Sequence, residues 1–117
     1  MKNSTSPPDR SAIFKGYHCS DVREEVVKEY RITMTKLLKS RGLPFNEARY
    51  MAADIMRDNL NHSLRRIARE LNLKNEASVS FVLKRAKELL TDKDFAKKWY
   101  SIHERLQNRV SERNGNT

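Results

Sequence analysis

Apolar side chains return every three or four residues along most of this chain, and no segment alternates apolar with polar for long enough to form a strand. A helix buries one face when apolar positions recur about every 3.6 residues, whereas a half-buried strand needs a period of two. Ala48, Met51, Ala52, Ile55 and Met56 make the widest such stripe. Phe95, Trp99, Ile102, Leu106 and Val110 follow at spacings of 4, 3, 4 and 4. Shorter stripes join Val22, Val26, Val27 and Tyr30; Leu37 and Leu38; Leu64, Ile67, Ala68 and Leu71; and Val79, Val82, Leu83, Ala86 and Leu90. The expected fold is all-α, a compact multi-helix domain that ends in a C-terminal amphipathic helix.

Polar residues punctuate these stripes. Ser20, Asn46, Ser63, Asn75 and Thr91 stand where helix N-caps are expected. Gly42 and Pro44 break the pattern and make a loop that carries Lys39 and Arg41. Asn61 and His62 form a short link, and Asn72 suits the left-handed residue after a helix end. Residues 1–12, polar with paired prolines, read as a disordered tail, 13–111 as one domain, and 112–117 as a frayed end.

Charge narrows the partners. The chain carries 24 Lys and Arg against 15 Asp and Glu, a net +9. The excess is densest at 63–90, with seven basic and three acidic side chains. Such a balance favours a polyanion. A single cysteine, Cys19, rules out an internal disulfide framework and suits a reducing cytoplasm. No apolar run nears the roughly 20 residues needed to span a bilayer, and the N-terminus lacks the apolar core of a signal peptide. A cytoplasmic, nucleoid-associated protein without a membrane role is expected. His18, Cys19, His62 and His103 have no metal-ligand spacing, and the three glycines form no phosphate loop. No metal and no cofactor is expected.

The stretch 63–90, SLRRIARELNLKNEASVSFVLKRAKELL, joins two amphipathic segments by a short polar link. Ala68 is small where the first helix must approach the second. Leu73, apolar within the link, can plug the angle between steeply crossing helices. The second segment opens on Glu76, Ala77, Ser78 and Ser80, with Lys84 and Arg85 one turn on. A helix that enters a DNA groove needs short N-terminal side chains to reach base edges, and its first amides favour phosphate. These features point to a helix-turn-helix; the plainer alternative is a helical hairpin whose polar face meets water.

The surrounding sequence, VREEVVKEYRITMTKLLKSRG and then ARYMAADIMRDNLNHSLRRIARELNLKNEASV, resembles the C-terminal DNA-binding domain of the bacterial replication initiator DnaA, a Trp-repressor-like fold. The same order of parts is present: a helix ending in Tyr30, a basic loop, a long helix with Arg49 and Ala52 in an R-x-x-A pattern, an NHSL link and the helix-turn-helix. The likeness covers about residues 22–90. LKNEASVSFVLKRAKELLTDKDFAKK is more similar still to the DnaA-like C-terminal extension of REP-associated tyrosine transposases. Those enzymes need a histidine–hydrophobic–histidine triplet that is missing from this chain, so Tyr17, Tyr30, Tyr50 and Tyr100 read as packing residues and no enzyme is expected.

The resemblance implies a grip on two grooves. Arg41, flanked by Lys39 and Ser40, would enter the minor groove, although Gly42 stands where relatives carry another basic residue. Arg49 and Arg57 match phosphate-contacting positions, and Arg65, where the family often has proline, would add a phosphate contact. The family signature Arg-Asp-His-Thr-Thr aligns with Lys74, Asn75, Glu76, Ala77 and Ser78. Lys74 and Ser78 keep a cation and a hydroxyl. Asn75 suits adenine, Glu76 a cytosine amino group and Ala77 a thymine methyl, so the DnaA box itself is not the expected target. Glu76 would need a base or Arg49 to offset its charge. Ser80, Lys84 and Arg85 complete the expected surface.

The expected function is double-stranded DNA binding, in a regulator of transcription or replication or in a stand-alone transposase-type domain. The alternative is a protein-interaction module that has kept the fold and lost DNA. The C-terminal helix is the surface considered for a homodimer or a protein partner.

Overall fold

The computed structural model describes residues 16–113. Among them are six helices and no strand: α1 (Cys19–Tyr30), α2 (Met34–Lys39), α3 (Phe45–Asp58), α4 (Leu64–Glu70), α5 (Glu76–Leu89) and α6 (Lys93–Arg113). The all-α expectation holds. The tail expected at 1–12 lies outside the described residues, as do 114–117; Glu112 and Arg113, expected to fray, form the last turn of α6.

α3 is central because it is apolar on more than one side. Ala48, Met51, Ala52, Ala53, Ile55 and Met56 are all fully buried, and α1, α2, α4 and α5 pack around them. The three alanines let neighbouring helices come close without leaving voids. α6 lies along α1. Its Phe95, Ile102 and Leu106 are buried and its Trp99 and Val110 pack on the core. The apolar stripe considered for dimerisation is therefore turned inward. Tyr100 is the exposed large apolar side chain on this helix, 68% accessible, and is not the packing residue expected of it.

Several helix starts differ from expectation, each for a local reason. α1 begins behind His18 rather than Ser20, because the Asp21 carboxylate accepts the His18 N–H at 2.8 Å. α3 begins at Phe45, since the Pro44 carbonyl already accepts the Ala48 N–H at 3.0 Å; Asn46 lies inside the helix. The Thr91 hydroxyl donates back to the Glu88 carbonyl, and Asp92 instead accepts the Asp94 N–H. Ser63 and Asn75 do cap, accepting from the amides of Arg66 and Ser78. Asn72 is left-handed, with φ of 57°.

Acidic side chains concentrate on the seam between α1 and α6. Arg105, Arg109 and Arg113, one turn apart, reach Asp21, Glu24, Glu25 and Glu29. On the other side of the core, Lys87 of α5 pairs with Asp54 and Asp58 of α3. The Trp99 indole N–H donates to Asp54 at 3.1 Å, tying α6 into the same cluster. Six acidic side chains are thus engaged away from the 40–44 loop and the start of α5.

Candidate nucleic-acid interface

A six-residue helix such as α2 leaves its last carbonyls without helical partners. Two long-range donors satisfy them here. Arg49 Nη1 donates to the Leu37 carbonyl at 2.6 Å, and the Asn72 side-chain amide donates to the Leu38 carbonyl at 3.0 Å. One comes from α3 and the other from the turn between α4 and α5. These bonds join the basic loop to the start of α5 along a common base, and between them lies an open cleft of about 830 Å³.

Eight residues singled out in the sequence line this cleft: Lys39, Ser40 and Arg41 on one rim, Lys74, Asn75, Ala77 and Ser78 on the other, and Arg49 at the base. Four of the lining side chains are cationic and none is acidic. Lys39, Arg41 and Lys74 are exposed and enter no ion pair among the described residues. Burial, and then the neighbouring Arg41 guanidinium, hold Arg49 below the ordinary arginine pKa. Like charges crowd here without a counter-ion among the described residues, which is the electrostatic condition of an anion site.

Arg49 is held from within the fold. It is only 8% exposed, and its guanidinium is engaged by the Leu37 carbonyl and, at 2.5 Å, by Asn46 Oδ1. It shapes the cleft rather than presenting a free phosphate ligand. Arg49→Met is accordingly expected to lower stability by about 2 kcal/mol in urea titration, since a buried carbonyl loses a charged donor. An exposed phosphate ligand would change stability by no more than about 0.5 kcal/mol.

The other six lie off the cleft lining. Arg57 is eight residues along α3 from Arg49, about 12 Å at helical rise, and donates to the His62 carbonyl. Glu76 is offset by Arg65 at 3.8 Å, not by Arg49 as anticipated. Arg85 pairs with Glu88 at 2.6 Å. Ser80 and Lys84 are exposed on α5, and Lys84 has no ion pair among the described residues. Ala68 is buried and Leu73 packs on the core, with the Leu73 N–H donating to the Ala68 carbonyl at 2.8 Å.

The sequence did not assign Leu38, Asn46, Asn72 or Phe81 to this surface, and all four line the cleft. Phe81 had a legible signal. It is a large apolar residue out of phase with the buried Val79, Val82 and Ala86, and it is 59% exposed. Asn72 had none, because its donation to a carbonyl 34 positions earlier depends on the tertiary fold. Among the described residues no group of His, Cys, Asp and Glu could hold a metal, and no helix is long and apolar enough to cross a membrane. No protein-family model, curated protein or solved structure matches this chain.

Proposed function

We propose that this protein is a non-catalytic double-stranded DNA-binding module that straddles one phosphate strand. The strand lies along the cleft, the 40–44 loop enters the minor groove beside it, and the first turns of α5 enter the major groove as the second helix of a helix-turn-helix. The observation that carries this reading is the convergence of Lys39, Arg41, Arg49 and Lys74 on one cleft without an acidic side chain. Asn75, Ala77 and Ser78 share that cleft and are short enough to approach base edges. The order of parts that resembles the DnaA C-terminal domain supports the same grip. A regulator of transcription or replication, or a transposase-type DNA-binding domain, is the role it would serve.

Fluorescence anisotropy with a random duplex, repeated over a range of salt, tests the proposal. Four exposed cations that form no ion pair among the described residues, Lys39, Arg41, Lys74 and Lys84, stand at the cleft or beside it on α5. The slope of log affinity against log salt is expected near about −4. Exposed Leu43 is the observation that favours the rival reading, a protein-interaction module. That reading predicts duplex binding too weak to titrate, or a slope near zero.

A further inference from the structure

Resting on the DNA-binding reading, we infer that Phe81 is a specificity-determining contact, which packs on thymine methyl groups in the major groove. Exposure by itself would say little, because single apolar side chains are common on protein surfaces. Placement carries the argument. Phe81 is four residues after Ala77, so the two point within about 40° of each other on α5, and both line the cleft. Lys84 and Arg85 follow three and four residues later on the same exposed side. An apolar ring is therefore held between a short-chain helix tip and Lys84, which enters no ion pair among the described residues, while Arg85 is paired with Glu88.

That pattern fits duplex DNA better than a protein groove. Lys74 ahead of the ring and Lys84 behind it would meet phosphates on either side of a groove, and the ring would meet what the groove floor offers between them. The thymine C5 methyl is the apolar group displayed in the major groove, and Phe and Ala are side chains that contact it. Phe81 would cover a thymine methyl beside the short Ala77 side chain, so the inferred target carries an A·T pair at that place.

The test replaces thymine by uracil, which removes the methyl and leaves the pairing edge. Two hairpin-closed alternating duplexes of about two helical turns, one A·T and one A·U, are titrated with the full chain by anisotropy. The wild type is expected to bind the thymine duplex about fourfold more tightly, the effect of burying one methyl group. Phe81→Ala should close that gap to within about twofold with the salt slope unchanged, and Phe81→Leu should restore part of it. A wild type that binds both duplexes equally overturns the inference and leaves the DNA reading standing. So does Phe81→Ala if it keeps the full preference. Failure of the wild type to bind either duplex overturns both. Far-ultraviolet circular dichroism of each variant confirms that the exposed position can be changed without unfolding.

Discussion

Asp21→Ala is expected to lower stability by about 3 kcal/mol in urea titration, and to remove much of the acid sensitivity of the fold. Asp21 is buried at the foot of α1, where its Oδ1 accepts from Arg109 at 2.6 Å and from Arg113 at 2.8 Å. Its Oδ2 accepts the His18 N–H and a second Arg113 nitrogen. Alanine leaves those donors in a partly dry seam. The Arg113 hydrogen bonds, first among several, hold the Asp21 carboxyl well below the usual carboxylate range. Burial pushes the Glu25 carboxyl up, but hydrogen bonds from Arg105 and Arg109 more than reverse this and leave it lowered. Carboxyls lowered by folding stabilise fully above their unfolded values of about 4, and that contribution is lost as pH falls further. Thermal melts should therefore be level between about pH 5 and 7 and drop below about pH 4. Asp21→Ala should shallow that drop; an acid profile identical to the wild type would show that the α1–α6 seam does not carry it.

This seam marks the boundary of what the chain discloses before it folds. The helical faces were legible, because burial imposes a 3.6-residue rhythm on each element alone. Val22 and Val26, Ala48, Met51, Ala52 and Met56 of α3, and the Phe95, Ile102 and Leu106 stripe all lie where that rhythm puts them, whereas Ala53 is buried outside it. Charge pairing has no such rhythm. Arg109 finds Asp21 across 88 positions of sequence, and nothing local distinguishes it from Lys97, exposed on the same helix. The same limit governs Arg49. The resemblance implied a phosphate ligand at this position, whereas the orphan Leu37 carbonyl at the end of a short helix engages its guanidinium. Lys39, Arg41 and Lys74 could be chosen from the sequence because they flank loops and need only remain exposed. Their meeting in one cleft depends on Asn72 and Arg49 tying two separate segments together.

Changing Lys39, Arg41 and Lys74 together to alanine is expected to reduce duplex affinity by two to three orders of magnitude at about 0.1 M salt and to bring the salt slope from about −4 to about −1. Each phosphate neutralised releases close to one condensed counter-ion, so three lost contacts remove about 2.7 from the exponent. Stability should hardly move, because all three side chains are exposed and none joins an ion pair among the described residues. A two-site control, Lys93→Ala with Lys97→Ala, removes charge from exposed positions on α6 that are absent from the cleft. If net charge alone held the duplex, that control would weaken binding nearly in proportion to the cations removed. A focused site behaves otherwise: the cleft variant loses the duplex and the control keeps it within a few fold, because charges beyond a Debye length of about 10 Å are largely screened. Losses in proportion to the cations removed would make the protein a diffuse polycation. The cleft that Arg49 and Asn72 hold open would then be a by-product of how α2 is capped.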